Sequence, residues 1–204
     1  MNKGVKIKVI GIVGKMGCGK SIASDYLANK LQFSSKLDVD LLAKEIYKKN
    51  IFIKDKIAHF FGNEVINSDG SINFIKLGRK VFSNKKEMKT LNEIMFPLIF
   101  EEVEDYINKN LNKNYIIIDA AILFDANLDN FCDKIILIRS NLSKRKDFLK
   151  CKNLNLCDED INQRIKNQKI KINKDKIDFI VENNSSIDSL YKKLDTIIKD
   201  IENS

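Results

Sequence analysis

The fold is decided by one stretch of the sequence, Gly14-Lys15-Met16-Gly17-Cys18-Gly19-Lys20-Ser21. It has the complete G-x-x-x-x-G-K-[ST] spacing of a phosphate-binding loop, between an apolar run and a segment with helical periodicity. Its glycines let the backbone turn tightly and approach an anion, so that successive N–H groups point towards phosphates. We expect Lys20 to contact the β- and γ-phosphates of ATP and the Ser21 hydroxyl to bind Mg²⁺. Ile22, in the first turn of the following helix, completes the predicted binding segment.

Four apolar segments are predicted to be β-strands. They are short, rich in Ile and Val and largely unbroken, which is typical of strands that are covered on both faces. Segments with helical periodicity lie between and after them. This alternation predicts an α/β fold with a mostly parallel sheet, and the loop makes it a P-loop NTPase fold of three layers. The predicted strands are residues 6–13, 114–119, 133–138 and 176–181.

The region of residues 41–111 interrupts this alternation with mainly helical material, and we expect it to be an insert that covers a substrate. Pro97 lies within its longest helical pattern and is predicted to kink that helix or split it. A basic helical stretch at residues 141–170 is predicted to be a lid. The whole chain is then a single domain of residues 1–204, with a core of residues 1–40, 112–140 and 171–204.

The formal net charge of +8 comes mostly from lysines that are scattered along the chain. This pattern favours a solvated surface over a nucleic-acid-binding patch. The four cysteines form no CxxC pair and the single histidine, His59, lies in an apolar stretch, so neither a zinc site nor a disulfide framework is predicted. No apolar run approaches the roughly 20 residues of a membrane span. We therefore expect a soluble, cytoplasmic protein that binds neither nucleic acid nor membranes.

Acidic residues follow two of the expected strands. Asp38 and Asp40 are two apart at a predicted strand end, so period-two spacing would put both carboxylates on one face, at the edge where open α/β sheets bind ligands. A carboxylate there can accept the proton of an attacking hydroxyl group, which makes Asp40 a candidate base; alternatively, Asp40 caps the next helix. Asp119, at the end of another strand, is a candidate ligand of Mg²⁺ through water or, alternatively, a strand-end cap.

From about Lys8 to Leu190 the chain resembles the dephospho-CoA kinase family. The segment DVDLLAK that begins at Asp38 is similar to the family's DADxxAR motif, in the correct position after the loop. Several short motifs in the family's order are far more specific than the loop alone. The other matching segments are LGRKVF at 77–82, LNEIMFP at 91–97, DAAILFD at 119–125, CDKIILI at 132–138, QRIKNQ at 163–168 and DFIVENNSS at 178–186.

This resemblance implies an activity and roles for individual residues. The expected reaction is phosphorylation of the ribose 3′-hydroxyl of dephospho-CoA by ATP with Mg²⁺, so both small molecules are expected substrates. Asp40 is the implied base, and the predicted catalytic residues are Asp40, Lys20 and Arg145, the last from the lid. Asn183 is expected beside the adenine. The sequence contains no indication of the oligomeric state.

The chain also departs from the family pattern. Phe96 stands where the family has a histidine, Lys44 where it has an arginine, and Ala121 where it has a proline. The second arginine of the lid is replaced by Lys152 or missing, and lysine lacks the planar fork that binds phosphate oxygens in pairs. Two alternatives remain open: another small-molecule or nucleoside monophosphate kinase of the same fold, and a nucleotide-dependent nucleic-acid-binding protein.

Overall fold

The computed structural model describes residues 7–152 and 158–203. These residues form two compact units, of which the first comprises the chain up to Asp38 and from Glu104 onwards, and the second comprises Val39–Val103. The second unit overlaps the predicted helical insert of residues 41–111. Across the part of the chain that is described, no helix is long and apolar enough to cross a membrane.

The first unit contains a sheet of five parallel strands in the order β2-β3-β1-β4-β5. The predicted α/β fold with a mostly parallel sheet is thereby confirmed. Strands β1, β3 and β4 are almost wholly buried on both faces, which explains their unbroken apolar sequences. The strands are β1 (Lys8–Val13), β2 (Ser34–Asp38), β3 (Tyr115–Asp119), β4 (Lys134–Arg139) and β5 (Phe179–Glu182).

Eight α-helices lie within the described residues. They are α1 (Lys20–Lys30), α2 (Val39–Lys49), α3 (Ile51–Phe61), α4 (Phe74–Ser83), α5 (Lys85–Lys109), α6 (Leu142–Lys152), α7 (Asp158–Asn167) and α8 (Ile187–Glu202). Short 3₁₀ helices occupy Asn63–Val65, Leu128–Phe131 and Lys174–Lys176.

Helices α1 and α8 cover one face of the sheet. Leu27 of α1 and Leu194 of α8 are fully buried against Ile10, Ile12 and other strand residues. The Ser186 hydroxyl caps α8 by accepting a hydrogen bond from the backbone N–H of Ser189, as serine commonly does at a helix start. This packing fixes α1, and therefore the phosphate-binding loop, on the sheet.

The second unit is helical, and its longest helix differs from the expectation. Helix α5 runs without a break through Pro97, so the predicted split is wrong and the alternative, a kink, stays a prediction. Proline removes one backbone hydrogen bond from a helix interior, at a cost of about 3 kcal/mol. Met95, Ile99 and Val103 lie on one face of α5 and are buried, and this burial of apolar surface offsets that cost.

Candidate active site

The phosphate-binding loop lies between β1 and α1, as predicted, and its glycines meet three separate demands of the backbone. Gly17 and Gly19 have φ angles of +76° and +96°, which residues with a side chain rarely adopt. A Cβ atom on Gly14 would lie 2.4 Å from the carbonyl oxygen of Ile138. Gly19 also supplies no side-chain cap to α1, so the first backbone N–H groups of the helix can serve an anion.

Lys20 and Asp119 lie together at the carboxyl end of the sheet. The Nζ atom of Lys20 is 3.9 Å from Oδ1 of Asp119, whose side chain is only 4% exposed. Asp119 ends β3 and lies in register with Ile12 of β1 and with Asp38 of β2. The structure therefore places a buried carboxylate beside the lysine of the loop, where a bound cation would meet oxygen ligands.

The two acidic residues after the loop lie in different elements. β2 ends at Asp38, and α2 begins at Val39, so Asp40 is the second residue of that helix. The expectation that Asp38 and Asp40 share one face of a strand is therefore wrong, because the strand periodicity stops between them. Asp40 lies within the first turn of α2 rather than before it, and a carboxylate there is stabilised by the helix dipole.

Arg145 of α6 is held against the loop and is largely buried, with 6% of its surface exposed. Its Nε atom donates a hydrogen bond of 2.8 Å to the carbonyl oxygen of Met16. Its Nη2 atom is buried and has no hydrogen-bond partner among the described residues. Burial lowers the pKa of Arg145 from its usual value, yet a guanidinium stays charged in proteins. A charged donor without an acceptor at this position suits a phosphate group.

Asn183 follows β5 and packs directly on the loop. Its Nδ2 atom donates to the carbonyl oxygen of Cys18 at 3.0 Å. Its backbone N–H donates to the carbonyl oxygen of Arg139 at 2.7 Å. A Cβ atom on Gly19 would lie 2.5 Å from Asn183 Nδ2, so a side chain here would displace that amide group in addition to straining the φ angle. Asn183 thus lies beside the nucleotide loop.

Cys18 lies in the loop, two residues before the start of α1. A thiol near a helix N-terminus can have a lowered pKa and react readily. Here Cys18 is 1% exposed, and desolvation by burial raises its pKa despite the nearby charge of Lys20. The thiol is therefore a packing group under the loop.

Two residues beside the loop were given no role from the sequence, although one of them, Gln168, lies in the matched segment QRIKNQ. The Ser24 hydroxyl is fully buried, 3.1 Å from Oδ2 of Asp119 and 3.0 Å from the carbonyl oxygen of Ser21. Gln168 accepts a hydrogen bond of 2.6 Å from the backbone N–H of Met16. Ser24 follows Ser21 by three positions, which puts both on one side of α1, and this spacing could have revealed it.

A cavity of about 540 Å³ opens beside the loop in the first unit. Its walls combine isoleucine and leucine side chains with the cationic groups of Lys15, Arg139, Arg145 and Lys174. Such a lining can hold a molecule that joins an apolar, flat group to phosphates. The second predicted lid contact, the side chain of Lys152, lies outside the described part of the chain.

Comparisons with known proteins agree with this geometry. The dephospho-CoA kinase family model matches residues 8–189. A dephospho-CoA kinase of Fusobacterium nucleatum is 32% identical over 201 residues, which cover 97% of this chain and 100% of the relative.

Two solved structures share the fold. A Thermus thermophilus protein superposes with a TM-score of 0.77 at 20% identity, covering 96% of this chain and 98% of that one. The dephospho-CoA kinase from Campylobacter jejuni superposes with a TM-score of 0.60 at 23% identity, covering 95% and 96%. The resemblance found in the motifs is thus confirmed over nearly the whole sequence. This chain belongs to the dephospho-CoA kinase family.

Proposed function

We propose that this chain transfers the γ-phosphoryl group of ATP to the ribose 3′-hydroxyl of dephospho-CoA, with coenzyme A and ADP as products. The observation that carries the proposal is the family match over residues 8–189, which includes the loop and the segments on both sides of it. The relative from Fusobacterium nucleatum, a dephospho-CoA kinase, aligns over its entire length.

The nucleotide is proposed to bind to the loop segment of residues 14–22 and beside Asn183. The backbone N–H groups of the loop would surround the phosphates, and Lys20 would contact the β- and γ-phosphates. Arg145 would donate to the transferring group, because its buried Nη2 atom is close to the loop and lacks an acceptor within the described residues. The cavity beside the loop has the volume and the mixed lining for the rest of the nucleotide.

Mg²⁺ is proposed to be held by the Ser21 hydroxyl and, through water, by Asp119. The fit rests on the chemistry of these groups, since Mg²⁺ prefers oxygen ligands and usually keeps several waters. The buried Asp119 carboxylate is already oriented by the Ser24 hydroxyl at 3.1 Å. When bound, the ion supplies positive charge that offsets the charge of the phosphate oxygens.

Asp40 is proposed to orient the ribose 3′-hydroxyl and to accept its proton. As the new bond from the hydroxyl oxygen to the γ-phosphorus forms, the bond from that phosphorus to the bridging oxygen of ADP breaks. The transition state of such transfers is loose, so most of the rate comes from positioning and electrostatic stabilisation.

Residues 141–170, which include α6 and α7, are proposed to act as the lid that excludes water from the transfer. The cytoplasmic location expected from the sequence likewise stays a prediction.

The proposed reaction is tested by measuring ADP release with several acceptors in parallel. We expect release with dephospho-CoA and little release with nucleoside monophosphates or shikimate. A Lys20→Ala variant serves as the control against a contaminating kinase and should lose at least about a hundredfold in kcat. Preference for another acceptor would show that the chain is a different kinase of the same fold. Salt-sensitive binding to DNA or RNA at physiological ionic strength would instead favour a nucleic-acid-binding protein.

A further inference from the structure

The backbone of Met16 is hydrogen-bonded on both sides of its Cα atom by side chains that are distant in sequence. Its N–H donates to Oε1 of Gln168 at 2.6 Å, and its carbonyl oxygen accepts from Nε of Arg145 at 2.8 Å. Gln168 follows α7 and Arg145 belongs to α6. Two consecutive peptide groups of the nucleotide loop, the one before and the one after the Met16 Cα atom, are therefore each bonded to a residue of the predicted lid.

Both partners are themselves fixed. The side chain of Arg145 is largely buried, with 6% exposed. The carbonyl oxygen of Arg145 lies against Gly17, where an added Cβ atom would be 2.7 Å away from it. The backbone N–H of Gln168 donates to the carbonyl oxygen of Arg164 at 3.1 Å. Three residues later, the N–H of Lys171 donates to Oδ2 of Asp125 at 3.1 Å, which ties this segment to the loop that follows β3.

We propose that Gln168 is a positioning residue for ATP, which acts by fixing the orientation of the peptide group between Lys15 and Met16. This inference rests on the proposed function, because it assigns the loop to ATP. Gln168 holds the peptide group before Met16 and Arg145 holds the one after it, so together the two hydrogen bonds fix the backbone angles of Met16, and the bond from Arg145 is charge-assisted. Without the bond to Gln168 the first of these peptide groups is free to rotate. With the Met16 N–H taken by Gln168, the N–H groups that follow in the loop keep the inward orientation that a phosphate requires.

This arrangement predicts a defect in ATP binding when Gln168 is replaced. A neutral hydrogen bond contributes a factor of about two to ten to an equilibrium constant. Gln168→Met keeps the length of the side chain and removes the acceptor, so we expect the KM for ATP to rise about fivefold to tenfold. The kcat value and the KM for dephospho-CoA should stay within about twofold, because Gln168 acts through the loop. Gln163→Met is the matched control, since Gln163 is an exposed residue of α7.

A spectroscopic signal tests the contact itself, without any acceptor substrate. Labelling with [¹⁵N]methionine gives three internal backbone amide signals, from Met16, Met88 and Met95, and substitution of each by leucine assigns them. A hydrogen-bonded amide proton resonates downfield. We expect the Met16 proton to move upfield in Gln168→Met, with the signals of Met88 and Met95 unchanged and one additional signal from position 168.

A second variant separates the hydrogen bond from general packing. In Gln168→Glu the carboxylate still accepts from the Met16 N–H, so the downfield signal should be retained, while the added negative charge near the phosphates raises the KM for ATP. A wild-type Met16 signal in Gln168→Met, a KM for ATP equal to that of Gln163→Met, or a displaced Met16 signal in Gln168→Glu would each overturn the proposal. Equal losses in both KM values and kcat would do the same, by assigning Gln168 a general structural role.

The two proposals can fail separately. The response of the Met16 signal to added ATP is measured without dephospho-CoA, so it does not depend on the acceptor. A chain that binds ATP and shows the expected Met16 shifts, yet does not phosphorylate dephospho-CoA, would refute the proposed function and leave the role of Gln168 intact.

Discussion

Replacing Gly17 by alanine tests whether α6 lies directly against the nucleotide loop. Gly17 has a φ angle of +76°, which costs a residue with a side chain about 1–2 kcal/mol. The added Cβ atom would lie 2.7 Å from the carbonyl oxygen of Arg145 and 3.1 Å from Cγ of Leu149. Because the nearer atom belongs to the backbone of a helix, it cannot move alone, and such overpacking costs about 1–3 kcal/mol more. We expect Gly17→Ala to lower the free energy of unfolding by about 2–5 kcal/mol.

Gly70→Ala is the matched control. Gly70 also has a φ angle of +76°, but a Cβ atom there would meet nothing within 4 Å. This variant should therefore show only the backbone cost of about 1–2 kcal/mol and an unchanged KM for ATP. Urea unfolding followed by circular dichroism gives the stabilities, and ADP release at varied ATP gives KM, which should rise at least about tenfold in Gly17→Ala. Equal effects of the two substitutions on stability and KM would refute the close approach of α6 to the loop.

Three further predictions concern individual side chains. Asp40→Asn should lower kcat at least about a hundredfold in the ADP-release assay, since an amide does not accept the proton. Asp55→Asn, in an exposed position of α3, is the control and should leave kcat unchanged. Near-normal turnover of Asp40→Asn would remove Asp40 from the mechanism. Asp119→Asn should raise the Mg²⁺ concentration for half-maximal rate about tenfold or more at fixed ATP, and an unchanged Mg²⁺ curve would leave Asp119 as a strand-end cap. Burial raises the pKa of Cys18, so at pH 7.5 iodoacetamide should alkylate it at least about tenfold more slowly than the exposed Cys151. Peptide mass spectrometry measures both rates of alkylation, and equal rates would contradict the burial of Cys18.

The parts of the fold that could be predicted are those with strong local signals. The spacing of the loop required a strand before it and a helix after it, and both are present. The unbroken apolar runs predicted β1, β3 and β4, because a parallel strand that is covered on both faces has little room for polar residues. The end of β2 was expected near Asp38, but the strand itself was not among the four segments assigned from apolar runs, since it lies at the edge of the sheet and only Leu37 in it is buried.

The contacts of the site were less predictable, because they depend on tertiary packing. The motifs identified Arg145 as a residue of the lid, but only the structure shows its bond to the carbonyl oxygen of Met16. Gln168 lies within a segment that was matched to the family, yet nothing in its sequence neighbourhood indicates a bond over a separation of 152 residues. The burial of Cys18 likewise depends on tertiary packing and could not be predicted from its place before a helix.

The state of Arg145 gives an independent argument that the site is built for an anion. A buried donor without a partner costs about 1–3 kcal/mol, and more when it is charged. In the described residues the Nη2 atom of Arg145 is such a donor, while Nε of the same group is satisfied by Met16. On the other side of the loop, Lys20 is 3.9 Å from Asp119, at the outer limit for an ion pair. Both cations are thus held near the loop without a strong acceptor for all of their donor groups. A bound triphosphate would supply these acceptors without first breaking a strong ion pair. The folded chain therefore carries the cost of the unpaired donor before any substrate binds. Preorganised sites stabilise charge in a transition state in this way.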